Sequence, residues 1–122
     1  MKIRIQQNKV RYRLSKSDVA QLASEGYLEE KTTFPQGQLI YALKSQPDTD
    51  SLSAAFENQQ ITIYIPESFT KAWPDNNLIG TDSNMPLNAG ESLYLLVEKD
   101  FKCLDNEAED QSDNYENPNQ TC

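Results

Sequence analysis

A chain of 122 residues, 37% hydrophobic and 25% charged with a net charge of −8, is long enough to bury one core without disulfide or metal staples. It contains no histidine, which removes the commonest general base and the commonest transition-metal ligand, and with them any Ser-His-Asp or Cys-His mechanism assembled from this chain alone. No stretch approaches the roughly 18 apolar residues of a membrane span, and the opening Met1-Lys2-Ile3-Arg4-Ile5 lacks the apolar run of a signal peptide, so the expectation is a cytoplasmic protein.

Lys2 to Leu14 alternates apolar and polar residues on both sides of Gln7-Asn8, as a half-buried hairpin requires. With Gln7-Asn8 as a two-residue loop, Ile5 lies opposite Val10, Ile3 opposite Tyr12 and Met1 opposite Leu14, all on one face. Asn8 is the loop residue expected to tolerate positive φ. The hairpin runs into Ser15-Lys16-Ser17-Asp18, a helix cap preceding Val19, Leu22 and Ala23, and Gly26 stops that helix. A strand is predicted over Tyr27–Phe34, a turn at Pro35-Gln36-Gly37, and another strand from Gly37 to Leu43. The cluster Gln46-Pro47-Asp48-Thr49-Asp50 is a linker.

Shifting by 51 residues repeats the pattern. Leu52 to Ile65 forms a hairpin around Asn58-Gln59, with Phe56 facing Ile61, Ala54 facing Ile63 and Leu52 facing Ile65. Pro66 suits a first helical position and Glu67 the positive helix end. Phe69, Ala72 and Trp73 form the apolar stripe of a second helix that Pro74 ends, each helix being two to three turns. Tyr27 then matches Leu78, Leu28 matches Ile79, and Gly37–Leu43 matches Gly90–Leu96, the extra length falling in a loop between Leu78 and Gly90. The run Leu93–Val97 is apolar enough for a central strand. The predicted fold is α+β: internally duplicated ββαββ units, 1–45 and 51–102, forming one pseudo-two-fold, mainly antiparallel domain with two short helices. Residues 103–122 are an acidic tail bracketed by Cys103 and Cys122, with too little apolar content to build a core.

The passage Glu98-Lys99-Asp100-Phe101-Lys102-Cys103-Leu104 with Glu109-Asp110, Asn117-Pro118 and Cys122 resembles the C-terminal signature of a family of short uncharacterised bacterial proteins. That likeness extends over the whole chain and implies no activity and no site residues. The hairpin followed by Ile65-Pro66 and a helix is similar to the unit of the swapped-hairpin (AbrB-like) transition-state regulators, small bacterial DNA-binding dimers. Pro74-Asp75-Asn76-Asn77 stands where their Gly-Asp turn usually follows.

Charge is segregated. Residues 1–16 carry Lys2, Arg4, Lys9, Arg11, Arg13 and Lys16 and no acid, whereas 103–122 carry Asp105, Glu107, Glu109, Asp110, Asp113 and Glu116 and no base. In the hairpin register Arg4 lies opposite Arg11 and Lys2 opposite Arg13, and such like-charge pairs cost some tenths of a kcal/mol each. These four residues are the candidate anion- or partner-binding set. Three readings stay open: a solvated face with the repulsion screened by salt, a clamp with the acidic tail, or binding of nucleic acid or another external anion, which a pI near 4.4 opposes.

Cys103 and Cys122 could hold Zn²⁺ with tail carboxylates, form a disulfide or stay as thiols, and no C-x-x-C spacing selects zinc. Asp105–Asp110 lacks the glycine and spacing of a calcium loop. Glu98 and Asp100 share a strand face and could form a carboxylate pair, but no catalytic residue is identified and no cofactor beyond zinc is suggested. The reading is a non-enzymatic binding or interaction protein acting on an unknown protein or anionic partner, as monomer or homodimer. The alternatives are a DNA-binding regulator and a metal-binding protein using the tail.

Overall fold

The structure, a computed structural model, describes residues 1–101; Cys103, Cys122 and the acidic tail lie outside the described residues. Strands β1 (Lys2–Gln6) and β2 (Lys9–Leu14) pair in the register that alternation demands, Ile5 with Val10 and Ile3 with Tyr12. Val10, Tyr12 and Leu14 are buried. The residue at positive φ in the loop is Gln7, at 51°, and not Asn8; the Asn8 side chain instead donates to the Ser92 carbonyl at 2.7 Å.

Helix α1 (Lys16–Glu25) starts and stops as its sequence dictates. Ser15 Oγ accepts from the Asp18 backbone at 3.2 Å, and Asp18 Oδ2 accepts from the Ser15 backbone at 2.9 Å, a complete capping box. Gly26 takes φ 74° and its N–H reaches the Leu22 carbonyl at 2.9 Å, a left-handed cap that glycine adopts without a Cβ penalty. Val19 and Leu22 are the buried stripe. Asp18 also meets the Met1 amine at 2.9 Å. Burial pushes its carboxyl upward, yet hydrogen bonds from that amine and from Ser15 hold it below the usual carboxylate range.

The chain continues through β3 (Tyr27–Phe34), β4 (Gly37–Gln46), β5 (Ser53–Glu57) and β6 (Gln60–Pro66). The second helix falls short of the expected two to three turns. Helix α2 spans only Glu67–Thr70, and Trp73–Asp75 follows as a 3-10 turn with Pro74 inside it. Pro66 is its N-cap and the last residue of β6, with no side chain capping the helix. Proline disfavours the α conformation at the preceding Trp73 and cannot donate to a helical carbonyl, so the chain tightens instead of continuing. Trp73 is nonetheless fully buried, its ring centroid 4.9 Å from that of Phe69 with the two rings tilted by 50°, and with Nε1 donating to the Leu78 carbonyl at 2.8 Å.

The strand that the ββαββ plan requires after the second helix is β7 (Gly80–Pro86), which lies within the segment between Leu78 and Gly90 that the sequence reads as loop, and β8 (Ser92–Lys99) follows it. Two four-stranded sheets result, in the orders β1-β2-β8-β7 and β3-β4-β6-β5. Within each, antiparallel hairpins flank a central parallel pair, β2 with β8 or β4 with β6. Each sheet thus takes one hairpin from either half of the chain.

The sheets meet along their edges as well as their faces. The N–H of Leu52, the residue before β5, donates to Ser83 Oγ of β7 at 2.9 Å, and the amine of Met1, the residue before β1, reaches Glu30 Oε1 of β3 at 3.1 Å. Between them lies one apolar cluster that includes Tyr12, Leu14, Leu22, Leu43, Ile63, Ile65, Trp73, Leu95 and Val97. Tyr12 is enclosed there; its hydroxyl donates to the Ile61 carbonyl at 3.1 Å, and burial pushes it well above the usual tyrosine range. No helix among the described residues is long and apolar enough to cross a membrane.

The hydrogen bonds correct the match between the halves. Tyr94 N donates to the Asn8 carbonyl and Ile40 N to the Gln59 carbonyl, so Ile40, not Tyr41, stands where Tyr94 stands. That slip of one residue exchanges faces. Tyr41 points inward, 5.9 Å from Tyr12 and donating to the Met1 carbonyl, whereas Tyr94 points outward. Likewise Gly80, which pairs with Glu98, is the counterpart of Tyr27, which pairs with Lys44. Leu78 and Ile79 precede β7 and are exposed.

Candidate anion-binding face

The outer face of the first sheet carries the predicted cations in rows. The register places Lys2, Arg13, Glu98 and Gly80 side by side across the four strands, then Arg4, Arg11, Leu96 and Asp82, then Gln6, Lys9, Tyr94 and Asn84. Side chains alternate along a strand, and the inward set Val10, Tyr12, Leu14, Leu95 and Val97 is buried, so these rows face away from the core. Lys2, Arg4, Arg11 and Arg13 are therefore brought together as their register requires.

Their repulsion is relieved from within the fold. Glu98 Oε1 lies 2.9 Å from Arg13 Nε and 3.6 Å from Arg11 Nε, and Asp100 Oδ2 lies 2.8 Å from Lys2 Nζ. The two acids do share a face, but each is engaged with cations of β1–β2 instead of forming a carboxylate pair. Their role could have been read from Glu98 and Asp100 alternating at the end of the apolar run, had the parallel neighbour of β8 been known. Tyr94, part of the apolar run Leu93–Val97, belongs to the same face. Its hydroxyl donates to Asp82 Oδ2 at 2.7 Å, and burial first, then the Asp82 carboxylate, push it up to about 12. Between Arg4, Lys9, Arg11 and Tyr94 the surface forms a shallow hollow.

The second sheet provides an internal control. By the same hydrogen-bond correspondence, Ser53, Ala55, Thr62 and Tyr64 occupy the positions of Lys2, Arg4, Arg11 and Arg13, and Lys44 that of Glu98. The same strand plan is built there without a cation ladder, so the ladder is not a requirement of the fold.

Other features have less chemistry. Phe34 and Phe56 are exposed beside the hairpin turns of the second sheet. A groove between α1 and the 3-10 turn is lined by Val19, Ala20, Pro74 and Phe101, with Lys16 and Lys99 at its rim. Among the described residues no group of three or more Cys, Asp or Glu side chains is placed to hold a metal, and the zinc candidates Cys103 and Cys122 lie outside them.

No curated protein and no solved structure matches the chain, and the likeness to swapped-hairpin regulators gains no support from these comparisons. A model described as a family of unknown function (DUF7009) matches residues 1–119, and the chain belongs to that family.

Proposed function

We propose that this is a non-enzymatic binding protein whose cationic outer face on the first sheet takes an acidic protein segment, with its own residues 103–122 as intramolecular competitor. The observation that carries the reading is where the chain leaves the fold. Asp100 follows β8, its N–H donates to the Leu14 carbonyl at 2.8 Å, and its carboxylate pairs with Lys2. The six carboxylates of 103–122 follow Asp100 in the sequence with no base among them, and the face that Asp100 adjoins carries Lys2, Arg4, Lys9, Arg11 and Arg13. Opposite charges that come within a Debye length, about 10 Å at 0.1 M salt, attract with only partial screening. The reading treats the two halves as copies of one ββαββ unit about a pseudo-two-fold axis, of which the leading copy acquired the charge. The shared strand plan of the two sheets supports this.

Duplex nucleic acid suits the face less well, because Glu98, Asp100 and Asp82 lie on it among the cations. The test is retention on a heparin column of the full chain, of a chain lacking 104–122, and of that truncated chain carrying Arg4→Ala and Arg11→Thr, the residues of the second sheet. Removal of the tail is expected to raise the eluting salt concentration and the two substitutions to cancel the rise. Equal retention of full and truncated chains defeats the proposal.

A further inference from the structure

We infer that the turn end of the fold is a self-association surface, where Ile5, Phe34, Phe56 and Leu87 dock against the same end of a second copy of this chain.

All four hairpin turns come out at one end. Within the first sheet, Asn8 Nδ2 donates to the Ser92 carbonyl, which sets the β1–β2 turn beside the β7–β8 turn. Within the second, Ile40 N donates to the Gln59 carbonyl and sets the β3–β4 turn beside the β5–β6 turn. The two sheets also point the same way. Leu52 N donates to Ser83 Oγ and Ala54 N to Met85 Sδ at 3.3 Å, so β5 and β7 advance together, each toward its turn. The next step of that register sets Phe56 beside Leu87. By the correspondence between the halves, the Met1–Glu30 contact sets Ile5 beside Phe34.

The opposite end, where β2 and β6 finish, is closed by α1, α2 and the 3-10 turn, which bury Val19, Leu22 and Trp73. Among the described residues no α-helix covers the turn end. Ile5, Phe34 and Phe56 continue the inward alternation of β1, β3 and β5, and Leu87 that of β7. They are nonetheless between 39% and 71% exposed, beyond a core that stops at Ile3, Ala54 and Met85. At these exposures the four leave on the order of 400 Å² of apolar surface in one patch. That is about half of the roughly 800 Å² that each partner gives to a stable complex.

Charge selects the occupant. Turn residues 6–8, 34–38, 58–60 and 87–90 include no charged residue, in a chain that is 25% charged. Next along, Lys9 and Glu57 alternate onto the outer faces, and Glu91 follows the last turn. Two copies carrying −8 each repel over most of their surface, and this end lets them meet without opposing like charges. The amides of Gln7, Asn8, Gln36 and Gln59 are donors and acceptors at once, so they pair with their own kind. A self-complementary surface closes about a two-fold axis. Between Phe34 and Phe56 the second sheet leaves a hollow of about 330 Å³. An axis lying across the end, parallel to the sheets, sets the first sheet of one copy over the second sheet of the other. Ile5 then meets Phe34 of the second copy and Leu87 meets its Phe56, on either side of the hollow. Both contacts occur twice.

Sedimentation equilibrium of the full-length chain, from micromolar to millimolar concentration and at low and high salt, tests this. A monomer–dimer equilibrium is expected that holds or tightens as salt rises, because salt screens the repulsion between like-charged copies. Ile5→Lys and Phe34→Glu are each expected to weaken the dimer roughly ten-fold or more. An equimolar mixture of the two variants is expected to associate more tightly than either alone. Both side chains are exposed, so the variants keep the urea midpoint of the dilute parent. A monomer throughout the range, or a dimer that neither substitution weakens, overturns the inference. A dimer that salt dissociates is held by the cation face and overturns it too. A mixture no tighter than its components overturns the pairing of Ile5 with Phe34.

Discussion

Replacing Glu98 by Gln isolates the electrostatics of the first sheet. The change keeps the shape of the side chain and removes the carboxylate that lies 2.9 Å from Arg13 Nε and 3.6 Å from Arg11 Nε. A hydrogen bond to a charged group contributes roughly 1.5–3 kcal/mol when well buried, whereas exposed pairs contribute about 0.2–1 kcal/mol. Glu98 is 18% exposed and its partners 31% and 39%, so the pair lies between these limits. Losing it also leaves the Arg4–Arg11 and Lys2–Arg13 oppositions less compensated, at some tenths of a kcal/mol each. The expected destabilisation in urea melts is about 1.5 kcal/mol near 0.1 M salt, with an unchanged denaturant slope. Near 1 M salt, where the Debye length falls from about 10 Å to about 3 Å, it should shrink to roughly 0.5 kcal/mol. A loss below about 0.3 kcal/mol, or one that salt does not alter, would show that Glu98 does not restrain the cation ladder.

Two further outcomes follow from close contacts elsewhere. A Cβ at Gly80 would come within 2.3 Å of the Val97 carbonyl and 2.8 Å of Glu98 Cα, both backbone; Gly80→Ala should therefore cost about 2–3 kcal/mol in a urea melt by forcing β7 from β8. Tyr94 should titrate near pH 12 by ultraviolet absorbance, and Asp82→Asn should lower that midpoint. Because the folded state holds this proton more tightly than an unfolded tyrosine with a pKa of 10.0, stability falls as pH rises through that window. In the Asp82→Asn protein the fall is shallower, and an unmoved Tyr94 midpoint would rule out the carboxylate as a cause.

Local chemistry was legible and distant pairing was not. The β1–β2 register follows from Ile3, Ile5, Val10, Tyr12 and Leu14 together with the two-residue loop, since a slip of one residue turns apolar side chains outward. The Ser15–Asp18 box and Gly26 act within a few residues, and the chain bears their signatures. The parallel contact of β2 with β8 carries no turn to announce it; Arg13 and Glu98 are 85 residues apart. The ββαββ plan calls for a strand after the second helix, but the bounds of β7 were not legible because Gly80-Thr81-Asp82-Ser83-Asn84 lacks apolar alternation. Ser83 faces inward yet serves the Leu52 backbone instead of the core. Of the candidate site, the cations were readable as an opposed set, but the acids that brace them needed the crossover between halves.

The way the hairpins are shared fixes an order for synthesis. Strands β3 to β6 run without interruption from Tyr27 to Pro66, so that sheet can close as soon as its last strand leaves the ribosome. The other sheet joins the two ends of the described chain, and β2 waits for β8 until Lys99 has emerged. Throughout that interval β2 has an open edge, the kind of surface that recruits strands from other molecules. Arginine and lysine at alternate positions along it repel a second copy, so the same charges that mark the mature surface guard the nascent protein against aggregation.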